Sequence, residues 1–334
     1  MNTNEIKQRI NSNSYSFLIE NEHLGNNIIL LTTGGSHAYG TQVATSDLDI
    51  RGIAIERPQE RLGLATFKQF ENRETDTVIY ALRKYVDLIL NCNPNVIEML
   101  GTKEEHLFIC TPEAQFFRDN IYLFLSKKAI HSFGGYATAQ LRRLQNALAR
   151  DTYPEAEKEQ HILNSIKTSL MTVSDKYVEL TDGALNLYID KSHRPEVETE
   201  IFMDISLTHY PLRDFKNIYA DMHNIVHEYG KLNHRNSKKD ELHLNKHAMH
   251  LIRLLIMGTE ILEGKGVNTF RENDREFLLS IRDGKWSYQQ IFEMVDKYEK
   301  KFKYAADNTT LPKNPDYNTV QEVLIEMYKK HYKI

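Results

Sequence analysis

The segment Gly34–Gly52 constrains this chain more than any other stretch of its 334 residues. An apolar run, Ile28–Thr33 (IILLTT), stops at Gly34-Gly35-Ser36 and continues as His37-Ala38-Tyr39-Gly40. Ten residues separate Ser36 from Asp47, which opens Asp47-Leu48-Asp49-Ile50-Arg51-Gly52. A short aliphatic run closed by paired glycines reads as a buried strand entering a tight turn. Without a Cβ, glycines let backbone N–H groups close on an anionic ligand, and Ser36 adds a hydroxyl donor. A period of two puts Asp47, Asp49 and Arg51 on one face of the next strand and sends Leu48 and Ile50 to the core. Carboxylates side by side are costly unless a cation sits between them. Mg²⁺ takes one or two carboxylates plus substrate phosphates, so the segment predicts a site for a metal–nucleoside triphosphate. The chemistry is then phosphoryl or nucleotidyl transfer, in which positioning and charge neutralisation dominate.

Around this segment short β-like runs alternate with helical ones. Asp49–Glu56 and Thr75–Ala81 read as strands, and Val96–Leu100 as a further short one. Leu82–Asn91 is helical by periodicity and stops at Asn93-Pro94. After residue 125 helical patterns take over: Gly135–Ala149, Glu155–Thr172, Leu212–Glu228, Lys246–Glu263, Asp274–Arg282, Tyr288–Ala306 and Val320–Tyr332. The expected fold is α+β, a small mixed-sheet domain over 1–125 followed by an all-helical domain over 126–334.

Composition narrows the class. No apolar stretch approaches the ~20 residues of a membrane span, and the polar start MNTNEIKQRINSNSY lacks a secretory core. Cys92 and Cys110 carry no metal spacing, so a cytoplasmic chain with two reduced thiols is expected. The net charge of −4 argues against a strongly basic nucleic-acid coat protein. It is unevenly spread: residues 1–125 hold 11 Lys and Arg against 16 Asp and Glu, the remainder 31 against 30. Acidity is concentrated beside the predicted metal site, so any nucleic-acid contact belongs to a confined patch on the helical half. The candidate runs are 231–239 (KLNHRNSKK), 297–303 (KYEKKFK) and Lys329-Lys330.

The Gly-Ser…Asp-Leu-Asp-Ile pattern is similar to the signature of the polymerase-β-like nucleotidyltransferase superfamily. With LRKYVDLILNCNPNVIEML and the late LIRLLIMGTEILEGKG…LLSIRDGK run, the chain resembles the nucleotidyltransferases found beside RNA ligases in phages and bacteria. That resemblance implies that Gly35 and Ser36 hold the triphosphate and that Asp47 and Asp49 bind metal, two Mg²⁺ ions or Mn²⁺. It also implies a third carboxylate on a later strand, able to accept the proton of the attacking hydroxyl. Asp76 is favoured, with Glu74 and Glu98 as alternatives. The implied acceptor is an RNA end, tRNA-like. Transfer to a small molecule or a protein side chain is the alternative, and a non-catalytic nucleotide- or RNA-binding module the alternative of another class.

Other residues are weighed as ligands. Tyr39 is a candidate to stack on a base, and Arg51 either meets the triphosphate or neutralises the aspartates. Lys246, His250 and Arg253 stand at i, i+4 and i+7, one face of a helix that is otherwise apolar. A triphosphate needs cations, which makes them nucleotide-binding candidates. Tyr136, Gln140 and Arg143 form a second stripe, read first as helix–helix contact. His243, His247 and His250 lack zinc spacing. The oligomeric state stays open.

Overall fold

Burial on both faces makes Ile28–Thr33 the inner strand of a sheet, since all six of its residues are buried. The computed structural model of the protein describes residues 1–152, 160, 163–164, 166–167, 184–193, 199–232 and 241–333. In it β1 (Ile28–Thr33), β2 (Ile50–Ala54), β3 (Gln69–Asn72), β4 (Thr77–Ala81) and β5 (Leu107–Cys110) form one sheet in the order β3-β4-β2-β1-β5. β1 is antiparallel to β2 and β5, β3 to β4, while β2 and β4 are parallel. The sheet is therefore mixed, as expected, and the fold is α+β. Beneath it lies an apolar cluster that includes Ile6, Tyr15, Leu24, Leu31, Leu48, Ile50, Phe67 and Ile79.

Two local readings change. β2 begins at Ile50, so Asp47 and Asp49 lie in the extended segment just before it rather than within it. Val96–Leu100 is not a strand. Pro94 opens a short helix, Pro94–Ile97, capped by the Asn93 side chain, and a 3₁₀ turn follows over Glu98–Gly101. Proline at the first helical position outweighs the β-branched residues behind it.

The chain forms two compact units, residues 1–141 with 245–334 and residues 142–244, rather than dividing near residue 125. The reason lies in the late helices. Glu241–Leu262 buries Leu251, Ile252, Leu254 and Leu255. From Tyr317–Tyr332, the Tyr328 hydroxyl donates to Glu56 Oε2 at 2.6 Å, just past β2. The second unit pairs β6 (Leu185–Lys191) with β7 (Thr199–Ile205) in antiparallel register, beside the helix Leu212–Leu232. Its core holds Leu163, Ile166, Leu187, Met222 and Ile225. This β-pair, in a region expected to be wholly helical, is the main addition to the sequence reading.

The expected helix at 155–172 and the basic run at 231–239 lie largely outside the described residues. Cys92 and Cys110 are free thiols. Among the described residues no helix is long and apolar enough to cross a membrane.

Candidate active site

Strand register assembles the site. β1 pairs Thr33 with Ile50 of β2, and β2 pairs Ile50 with Thr77 of β4. The residues next in line at that edge are Gly34, Asp49 and Asp76. Gly34 N–H donates to the Asp49 carbonyl at 2.8 Å, and Ile50 N–H donates to the Asp76 carbonyl at 3.1 Å. Three adjacent strands thus deliver the glycines and two carboxylates to one place.

Past β1 the chain forms a short helix, Gly35–Tyr39, that ends on the left-handed Gly40. Gly35 has φ +54°, and a Cβ there would land on Asp49 Oδ2. Only glycine lets this backbone lie against the carboxylate. Ser36 is nearly buried in the first turn.

Asp49 and Asp76 share a side-chain hydrogen bond. Burial pushes the Asp49 carboxyl up to about 7, and the Asp76 carboxylate adds to the rise, while Arg51 and Lys246 oppose it. Burial also acts to raise Asp76, but the hydrogen bond with Asp49 and the charges of Arg51 and Lys246 hold it below the usual range. The pair is thus held together by one shared proton, with Asp49 the more reluctant of the two to ionise. Arg51 bridges them: its Nη2 lies 3.1 Å from Asp49 Oδ1 and 3.2 Å from Asp76 Oδ1. Its Nη1 donates to the carbonyls of Ile50 (2.9 Å) and Asp76 (2.6 Å).

Of the three carboxylates weighed as the last member, it is Asp76 whose carboxyl meets Asp49. Glu74 is exposed in the turn between β3 and β4, with its N–H on Asn72 Oδ1 at 3.0 Å. Glu98 is buried in its 3₁₀ turn, and burial pushes it up to about 8 against the pull of Arg253. Asp47 is exposed, two residues before Asp49. Among the described residues no three His, Cys, Asp or Glu side chains gather closely enough to share one metal ion.

The basic helix face splits by depth. Lys246 is exposed, and its charge lowers both Asp49 and Asp76. Arg253 is buried, with its guanidinium 3.4 Å from the Tyr39 ring centroid. It also reaches His250 Nδ1 at 3.3 Å and Met257 Sδ at 3.2 Å. Burial, then Arg253 and Lys246, keep the His250 imidazole well below its ordinary pKa, so it is neutral. In the other stripe Gln140 is buried and Tyr136 meets the Asn95 amide at 3.4 Å, whereas Arg143 belongs to the second unit.

Sequence reasoning missed three arginines. Arg275 Nε donates to the Gly40 carbonyl at 2.6 Å, and Arg282 reaches the Thr41 carbonyl at 2.6 Å and Ser46 Oγ at 3.2 Å. Arg271 donates its backbone N–H to the Tyr39 carbonyl at 3.0 Å, while its side chain is tied to Glu260 and Asp274. Together they hold the loop that joins Ser36 to Asp47. Their spacing, four and seven residues around the helix Arg275–Arg282, was the available signal.

Of the late basic runs, Lys297, Lys300, Lys301 and Lys303 are exposed on the helix Tyr288–Asn308. Lys300 pairs with Asp296, Lys329 with Glu326 and Lys330 with Glu113.

No curated protein and no solved structure matches the chain. A family model does match residues 6–166, a span that takes in all five strands of the sheet and ends before the helix that carries Lys246. Over those residues the chain is similar to the RNA repair pathway DNA polymerase beta family, a polymerase-β-like nucleotidyltransferase family associated with RNA repair.

Proposed function

We propose that the protein is a metal-dependent nucleotidyltransferase that moves a nucleoside monophosphate from a nucleoside triphosphate to a hydroxyl at an RNA end. The observation that carries this reading is the meeting of Gly34–Ser36, Asp49 and Asp76 at the ends of three adjacent strands. Two carboxyls brought together on one arginine fork are a set of hard oxygen donors that suits Mg²⁺ or Mn²⁺ once both are ionised. Asp49 and Asp76 are the residues to hold such an ion, and Asp47, exposed on the same segment, would have to move toward them to serve as the third. A bound ion supplies charge neutralisation at the α-phosphate and at the departing pyrophosphate.

The chain's own groups do the rest. Backbone N–H groups at the start of the helix Gly35–Tyr39, with the Ser36 hydroxyl, receive the triphosphate. Lys246 and Arg51 add positive charge beside it. Tyr39, His250 and Arg253 contribute by fixing the end of that helix. The acceptor oxygen attacks the α-phosphorus, the bond to the bridging oxygen breaks, and pyrophosphate leaves. Asp76, held ionised and half-exposed, takes the acceptor's proton. The family and the exposed lysines at 297–303 support RNA as acceptor.

The test is transfer of label from each nucleoside triphosphate, with Mg²⁺, into a pool of small RNAs. Label in RNA that disappears in Asp49→Asn and in Asp76→Asn supports the reading. Label on protein or on a small molecule replaces the acceptor, and nucleotide binding without any transfer overturns the enzyme.

A further inference from the structure

Arg51 occupies the notch that a cation must enter to touch both carboxylates. One nitrogen, Nη2, is within 3.2 Å of Asp49 Oδ1 and of Asp76 Oδ1, while Nη1 is anchored on two carbonyls. Its stem lies against Gly34, where a Cβ would come within 2.8 Å of Arg51 Cγ. The side chain is only 19% exposed, a placement built into the site rather than a surface contact. A divalent ion sits about 2.0–2.1 Å from carboxylate oxygens when it is Mg²⁺, so ion and guanidinium cannot share the notch. Their like charges repel as well.

We propose that Arg51 is a resident counter-cation that makes nucleotide-free metal binding weak and couples metal entry to nucleotide binding. Metal must displace the guanidinium. The displaced side chain, pivoting beside Gly34, stands at the start of the helix Gly35–Tyr39, where triphosphate oxygens are received. Nucleotide therefore favours the same displaced state that metal requires, and two ligands that favour one state bind cooperatively. The arginine guards an otherwise under-compensated pair of acids in the empty protein, then turns its charge to the substrate. This inference rests on the nucleotidyltransferase reading of the site.

The test measures Mn²⁺ binding to the full chain at pH 8, by the spectroscopic signal of free Mn²⁺, with and without a non-hydrolysable nucleoside triphosphate analogue. Wild type should bind Mn²⁺ weakly alone and about ten-fold more tightly with the analogue. Arg51→Gln should bind Mn²⁺ alone about ten-fold more tightly than wild type, with most of the coupling lost. Arg51→Lys, which keeps the charge without the fork, should fall between them, and thermal melting checks that both variants are folded. Analogue-free Mn²⁺ affinity no higher in either variant than in wild type overturns the proposal and leaves the reading of the site intact. Absence of Mn²⁺ binding in every protein, analogue included, overturns that reading and the proposal with it.

Discussion

Two acid–arginine clusters in the first unit use the same residue types to opposite ends. At the strand edge Asp49 and Asp76 meet each other and share one arginine fork, with Asp76 half-exposed. Around residue 253, Glu98 and Arg253 are both buried, and the guanidinium is spent on the Tyr39 ring and on His250. Glu98, pushed up to about 8, is a neutral acid at physiological pH, and Arg253, lowered to about 10 chiefly by burial, keeps its charge. Charged groups with water within reach can exchange one partner for a ligand. Groups sealed in the core hold elements together. Exposure, more than residue type, separates the cluster proposed to react from the supporting one.

The sharpest way to break this comparison is to neutralise one acid in each cluster. Asp49→Asn and Asp76→Asn should each lower nucleotidyl transfer on the order of a thousand-fold, since each removes a carboxylate oxygen that a bound metal ion would need. Melting temperature should hold, because an amide replaces a crowded carboxyl. Glu98→Gln should leave transfer little changed, the native group being already neutral. Loss of transfer in Glu98→Gln with the aspartate variants active would exchange the two roles.

Next in size is the glycine that lets the two parts of the site touch. Gly35→Ala puts a methyl onto Asp49 Oδ2 at a backbone conformation that alanine resists. The helix Gly35–Tyr39 must shift away from the carboxylates, and a shift near 1 Å in a positioning element costs roughly a hundred-fold in rate. Steady-state kinetics should show the loss in kcat, with transfer still detectable.

Why one cluster was legible in the sequence and the other was not follows from chain distance. Gly35, Ser36, Asp47 and Asp49 lie within fifteen consecutive residues, so their spacing pointed to the site proposed here and to the sheet's first two strands. Asp76 needed only the next strand, because parallel register sets it beside Asp49. The start of β2 was placed too early, since the segment before a strand and the paired strand itself can share the same alternation. The second cluster joins Tyr39, Glu98 and Arg253, whose proximity is a matter of packing. On sequence, Arg253 was one of three cations on a helix face; burial decides that it supports Tyr39 while Lys246 remains at the surface. The arginines at 275 and 282 were missed for the same reason: their spacing was visible, but their partners are backbone carbonyls far away in the chain.

A smaller effect separates the clusters by stability. Arg253→Lys keeps the charge but loses the flat stack on Tyr39 and the reach to His250. A desolvated stack of this kind contributes about 2 kcal/mol, so chemical unfolding should show a loss of that order. Transfer at saturating nucleotide should change less than in Gly35→Ala, because the carboxylates and Arg51 stay in place.

The smallest effect is a pH dependence that belongs to the supporting cluster. Burial, then the charges of Arg253, Lys246, His247 and Arg282, keep folded His250 neutral well below its ordinary pKa of 6.5. Unfolding frees it to take up a proton once the pH drops below that value. The unfolded chain then binds more protons than the folded one, so stability is fully present above about pH 6.5 and declines as the medium becomes more acid. One such proton contributes a slope of at most about 1.4 kcal/mol per pH unit. His37 and His106, both lowered chiefly by burial, act in the same direction, so His250→Asn should reduce the slope between pH 5 and 6.5 without abolishing it. Unfolding free energies measured across that window in both proteins decide the matter. Equal slopes would mean that His250 takes up no extra proton on unfolding, and the helix face at Arg253 would then be open to water, as the carboxylate edge is.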